Sequence, residues 1–284
     1  MNIGIIGNGF IGKAFQQLYN KHINIVVYDI NPELCVPKDL KIEELCICDL
    51  VFISVPTPQN PDGSVHLDII DKVINNLRNI NYKNEIIIRS TVPPGTSDQY
   101  NVYFMPEFLT EKNYLDDFRN NKTWIFGLLD QDCTSYKEKI VHLINICHKQ
   151  KCIQFNNIKF VPNIEAEMIK YFRNTFLSIK VSYCNEIHEY CKKKGIDYNS
   201  MVNLAAADER IGLSHTSVPG HDGKYGFGGT CFPKDCNGLL NDMKKNNIKS
   251  YILENAINRN EQVDRSEHDW QLDIGRAFIQ THTE

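Results

Sequence analysis

The chain has 284 residues, 42% of them hydrophobic and 23% charged, with a formal net charge of −4 at pH 7. That suits one large globular domain or two ordinary ones, and it gives no reason to expect nucleic acid or a membrane surface as a partner. No apolar run nears the roughly 20 residues of a membrane helix, and the opening MNIGIIGNGFIG shows no basic region or cleavage site, so no secretory leader is expected.

Residues 2–6 (NIGII) read as a short buried strand. GNGFIG follows, with Gly7, Gly9 and Gly12 in G-x-G-x-x-G spacing, and KAFQQLYN continues as a helix. A second apolar run, INIVVY at 23–28, ends in Asp29, about 20 residues beyond the turn. The glycines allow a tight turn and close approach of backbone to a pyrophosphate, and the helix N-terminus offers N–H donors to it. Asp29 can accept hydrogen bonds from ribose hydroxyls, and its charge disfavours a 2′-phosphate, so NAD is expected rather than NADP.

The alternation continues with strands at 50–55, 85–88, 102–104 and 124–128 and helices at 67–78 and 135–147. The fold expected is α/β, a Rossmann-type doubly wound parallel sheet over 1–160. In such sheets ligands lie beyond the carboxyl ends of the strands. Those ends carry Pro56-Thr57-Pro58, Arg89 to Thr96 and Met105 to Glu111.

Near Pro162 the pattern changes to an all-α domain, expected over 161–263. Residues 163–194 have no Gly or Pro, carry apolar side chains at helical spacing and stop at Gly195, a plausible C-cap. A helix of that length spans roughly 45 Å, so a bend or break is expected. Lys170 and Asn174, at i and i+4, share one face. Further helices are expected at 198–207, 237–245 and 250–260, and a tail at 264–284 only loosely tied to the core.

The loop before the helix at 237 reads DGKYGFGGTCFPKD. Gly226, Gly228 and Gly229 let the backbone come close to a ligand or take positive φ, and Cys231 follows them. Lys234 supplies a nearby cation that favours the thiolate, and Asp235 could hold a water. Alone, the stretch reads equally well as a surface turn with an inert buried cysteine. The ten cysteines suggest reduced thiols in a cytoplasmic protein. The spacings Cys46 to Cys48 and Cys231 to Cys236 do not match zinc sites, so no metal is expected.

Taken in order, GNGFIG, Asp29, VPTP (55–58), STVPPGT (90–96), PEFLTE (106–111), AEMIKYFRNTF (166–176), NEI (185–187), DERIG (208–212) and GFGGTCFPKD (226–235) resemble the UDP-glucose/GDP-mannose dehydrogenase family. The resemblance implies oxidation of the C6 alcohol of a nucleotide sugar to a carboxylate with two NAD, UDP-glucose to UDP-glucuronate foremost. It makes Cys231 the nucleophile of a thiohemiacetal and then a thioester. Lys170 and Asn174 would serve the developing oxyanion or a water, and Glu107 and Asp235 would assist thioester hydrolysis. For the cofactor it implies Gly7, Gly9, Phe10, Ile11, Gly12 and Asp29, then Val55, Thr57, Thr91 and Glu111 from the later loops. Phe108, Leu109, Lys170, Asn174, Arg210 and Gly228 would face the substrate. Arg210 implies a homodimer through the helical domain, because in the family that arginine reaches into the partner's site.

Two departures stand against the resemblance. The chain stops about twenty residues after the helical unit, before the family's third domain, which holds the nucleotide, and the excursion between Asp29 and Val51 is short. The loop 213–224, with His215 and His221, reads either as a partial replacement for that domain or as a mobile loop. The alternatives are another sugar (GDP-mannose or a UDP-N-acetylhexosamine), a smaller alcohol, or an NAD-binding subunit without catalysis.

Overall fold

The structure is a computed structural model and describes residues 1–279. It forms two compact units, one from Met1–Thr57 with Leu67–Lys170, the other from Pro58–His66 with Tyr171 onward.

The first unit is built on five parallel strands, β1 (Asn2–Ile6), β2 (Asn24–Tyr28), β3 (Leu50–Ile53), β4 (Glu85–Ile88) and β5 (Tyr103–Phe104), in the order β2-β1-β3-β4-β5. The expected Rossmann-type sheet is therefore present. Ile3 stands between Ile25 and Leu50. Side chains alternate across a strand, so Ile3, Ile5, Leu50 and Phe52 join one core with Phe15, Phe118 and Trp124. Ile6, Val51 and Ile53 join the other with Ile70, Ile74 and Leu77. β3 is buried at every position, which is why LVFI is apolar throughout rather than alternating.

Helices α1 (Phe10–Phe15), α2 (Asp68–Asn79), α3 (Thr96–Gln99), α4 (Tyr114–Arg119) and α5 (Thr134–Lys149) belong to the same unit. So does a second parallel pair, β6 (Trp124–Leu128) with β7 (Ile158–Pro162). β7 was not expected. Its residues are half-buried at best and Lys159 is exposed, so it shows no clean two-residue period.

α6 (Asn163–Lys194) has the expected bounds and is one unbroken helix. Its first residue is anchored: Asn163 Oδ1 accepts from Phe104 N (3.0 Å), and its Nδ2 donates to Asp98 Oδ1 (2.8 Å) and Val102 O (2.9 Å). The division between units falls inside α6, between Lys170 and Tyr171.

The second unit adds α7 (Tyr198–Ala205), α8 (Phe232–Lys245) and α9 (Tyr251–Arg259). Tyr171, Phe227, Cys236, Leu239, Leu240 and Leu253 form its main core. α8 starts at Phe232, not at Asn237 as expected, because Pro233 fits a first helical turn where no N–H is needed.

The segment from Asp264 is not loosely tied as expected: Arg265, Trp270 and Ala277 are buried. Ala277 O accepts from Gln59 N (2.9 Å), which joins this segment to 58–66. Residues 280–284 of the expected tail lie outside the described residues. Among the described residues no helix is long and apolar enough to cross a membrane.

Candidate active site

In the first unit the glycine turn follows β1. Gly7 takes φ +94°, and a Cβ there would lie 2.7 Å from Ser54 O. A Cβ at Gly12 would lie 2.1 Å from Gly7 O, so only glycine lets α1 start this close to the strand. Gly9 has open space around it, which leaves the turn free to approach a ligand. Asp29, at the end of β2, is fixed beside the turn: Oδ2 accepts from Asn8 N (2.8 Å) and Oδ1 from Asn31 N (2.9 Å). Beyond it opens a cavity of about 300 Å³ lined by Tyr28, Asp29, Pro32, Leu40 and Ile42. These features fit a dinucleotide: backbone donors for the phosphates at the turn, a carboxylate for the ribose, and a half-apolar recess beyond it.

Phe10 and Ile11 open α1, and the Phe10 ring lies edge-on to Tyr114 at 6.2 Å. The loops after β3 and β4 are tied together. Ser90 Oγ donates to Val55 O (2.6 Å), and Thr57 Oγ1 donates to Thr91 O (2.8 Å). Glu111 is exposed.

Two buried charged groups here were not singled out from sequence. Arg89, following β4, is fully buried, its Nε and Nη1 without a hydrogen-bond partner among the described residues and its guanidinium 4.7 Å from the Phe15 ring centre. Burial pushes its pKa down to about 10, and Glu107 opposes that shift. Glu167, on α6, accepts from Gly95 N (2.5 Å) and Ser97 N (2.8 Å), so it pins the loop that carries Thr91. Burial pushes its carboxyl up to about 7. No spacing rule marks either residue, because each is defined by tertiary burial.

Glu107 and Lys170 are brought together. Lys170 Nζ donates to Glu107 Oε1 (2.5 Å) and to Glu107 O (2.8 Å), with both side chains under 5% exposed. The second carboxylate oxygen accepts from Leu109 N (2.9 Å). Phe108 and Leu109 follow directly and are half-buried. A buried ammonium–carboxylate pair of this kind can hold or exchange a proton with a reacting group.

In the second unit Cys231 is the N-cap of α8 and half-buried. Its carbonyl accepts from Asp235 N (2.9 Å), so the residue stands at the positive end of the helix macrodipole, which favours an anion there. Asp235 is fully buried, accepting from Asn174 Nδ2 (2.6 Å) and Lys234 Nζ (2.5 Å). Lys234, the cation expected to act on Cys231, is hydrogen-bonded to Asp235, and the N-terminus of α8 adds a second positive field beside the thiol. Cys236, one turn on, is buried and its thiol is pushed up to about 12 by burial, so it is an inert neighbour.

In the glycine loop Gly226 takes positive φ (+68°), as expected. A Cβ at Gly226 would lie 2.3 Å from Asn260 Oδ1, and one at Gly228 would lie 2.3 Å from Arg265 Cζ. Those two glycines make room for side chains of this same chain; Gly229, at φ +72°, faces open space. Arg210 forms a two-pronged pair with Asp208 and is 89% exposed.

The parallel sheet, the glycine turn and the acid ending β2 define an NAD-binding α/β protein. Residues 33–145 match the NAD binding domain, and residues 164–262 the central domain, of the UDP-glucose/GDP-mannose dehydrogenase family, and the chain belongs to that family. A UDP-glucose 6-dehydrogenase of Rickettsia bellii is 32% identical over 232 residues, covering 78% of this chain and 51% of the relative. The chain thus spans about half the length of the curated relatives it matches. Among solved structures, a UDP-glucose dehydrogenase of Pyrobaculum islandicum superposes with a TM-score of 0.76 at 24% identity, over 92% of this chain and 68% of that one. The 3-hydroxyisobutyrate dehydrogenase of Mycobacterium tuberculosis, solved with L-serine, superposes with a TM-score of 0.70 at 12% identity, over 98% and 96%. Both show likeness of fold.

Proposed function

We propose that this chain is a nucleotide-sugar 6-dehydrogenase that oxidises the C6 alcohol to a carboxylate, with UDP-glucose as the sugar nucleotide. The observation that carries the reading is Cys231: a half-buried thiol at the N-terminus of α8, whose first turn also carries the buried Asp235 that accepts from Asn174. The curated relatives named UDP-glucose 6-dehydrogenase support the choice of substrate.

Bound NAD, held by the turn at Gly7, Gly9 and Gly12 and by Asp29, supplies the hydride acceptor. The chain's own residues do the rest. Loss of a hydride from C6 and a proton from its oxygen gives the aldehyde. The Cys231 thiolate adds to that carbon, giving a tetrahedral thiohemiacetal. Loss of a second hydride and proton leaves a thioester, one NAD being consumed at each oxidation. Lys170 stabilises charge on the C6 oxygen and exchanges its proton through Glu107. Asp235 and Asn174 orient the water that hydrolyses the thioester, which returns the free thiol. Two chains associate through the helical unit, and Arg210 serves the partner's substrate.

The test is NADH formed per sugar, read by absorbance with UDP-glucose, GDP-mannose and UDP-N-acetylglucosamine in turn. Two NADH per UDP-glucose is the expected result, and Cys231→Ala should form no carboxylate while still binding NAD. Carboxylate formation by Cys231→Ala at the wild-type rate would refute the assigned role.

A further inference from the structure

The segment that follows α9 is joined to the loop that presents Cys231. Asn260 is almost fully buried; its Oδ1 accepts from Phe227 N (2.7 Å) and its Nδ2 donates to Phe227 O (2.9 Å). It therefore occupies both backbone polar groups of the residue between Gly226 and Gly228. Arg265 follows, with a side chain 5% exposed. Its Nη1 pairs with Asp222 Oδ2 (2.8 Å), and its Nε and Nη2 form a fork on Asp269 (2.7 and 2.8 Å). The hydrogen bonds from Arg265 hold the Asp269 carboxyl well below the usual carboxylate range. The guanidinium lies directly over Gly228, where a Cβ would stand 2.3 Å from Cζ and 2.6 Å from Nε and Nη2.

A guanidinium fixed by two carboxylates and nearly removed from solvent is costly to displace. It clamps Asp222, at the start of the glycine-rich loop, and covers Gly228, three residues before the thiol. We propose that Arg265 is a positioning residue for the reaction: it holds the 222–229 loop in one conformation and so fixes where the Cys231 thiol is presented. Glycine is required at 228 because the guanidinium fills the space a side chain would use. Arg265 itself touches no reacting atom. The assignment rests on the reading of Cys231 as the nucleophile.

The test pairs Arg265→Ala with Gly228→Ala and with the double variant. Cys231 alkylation by iodoacetamide is followed by peptide mass spectrometry, beside kcat, KM and NAD affinity. With the clamp removed, Cys231 should alkylate at least about threefold faster, because the loop opens locally. In the same variant kcat should fall about tenfold, because the thiol is misplaced, and NAD affinity should not change. Gly228→Ala alone should be strongly impaired, and adding Arg265→Ala should recover part of that loss, a coupling that a merely stabilising residue would not show. If Arg265→Ala does not fold, Arg265→Lys keeps the charge, loses the fork and is read by the same alkylation.

Alkylation and kcat within about twofold of wild type, or a Gly228→Ala penalty that is the same with and without Arg265, would overturn the proposal. A wild-type chain that turns over no nucleotide sugar would count against the dehydrogenase reading, while the alkylation rates and the glycine–arginine coupling would still decide the clamp.

Discussion

Glu167 gives the most quantitative prediction. It is fully buried, and desolvation outweighs the two backbone N–H groups it accepts from. The carboxyl is raised from its ordinary 4.5 to about 7. The folded chain therefore binds this proton more tightly than the unfolded chain does. The stabilisation from that proton is complete below pH 4.5 and is lost as pH rises to about 7, beyond which Glu167 is ionised in both states. An interval of that width at about 1.36 kcal/mol per pH unit is worth about 3 kcal/mol. Glu167→Gln removes the titration and keeps one acceptor oxygen. The amide nitrogen then faces a backbone N–H, which costs about 1–3 kcal/mol at every pH. The two effects separate in the slope. Urea unfolding followed by tryptophan fluorescence at about pH 4.5 and about pH 8 should show wild type losing about 3 kcal/mol more than Glu167→Gln across that range. Parallel pH dependence in the two proteins would refute the argument.

Two further outcomes follow from the dinucleotide turn. In Gly12→Ala the new Cβ meets the carbonyl oxygen of Gly7, which cannot swing away as a side-chain tip can. Stability should fall by about 3 kcal/mol in urea, and NAD titration by fluorescence should show no saturation. In Asp29→Ala the N–H groups of Asn8 and Asn31 lose their acceptor. NAD should bind about tenfold more weakly, and the preference for NAD over NADP should narrow; an unchanged ratio would remove Asp29 from ribose recognition.

The glycine turn, Asp29 and the strands around them were legible because they are local: β1, β4 and β6 have the bounds their apolar runs suggested. α6 was legible because an uninterrupted helical period is hard to mistake. β7 was hidden by its half-exposed pattern. In the candidate site the residue types were readable, but their partners were not. The bond that Lys234 makes to Asp235 could not be read from sequence, nor could the Arg265 guanidinium that stands beside Gly228. Arg89 and Glu167 carry no local mark, since their character comes from burial among residues far along the chain.

The insertion of 58–66 into the second unit has a consequence for how the chain is made. Asp62 O accepts from Asn241, 179 residues later. At about 5–20 residues per second, translation takes on the order of 10–40 s to supply that partner. During that interval the nascent first unit holds an excursion between β3 and α2 whose docking surface does not yet exist. A ribosome-bound intermediate of this chain should therefore be nicked by proteases within 58–66 faster than the finished molecule, in which Gln59 N and Asp62 O are hydrogen-bonded to Ala277 and Asn241.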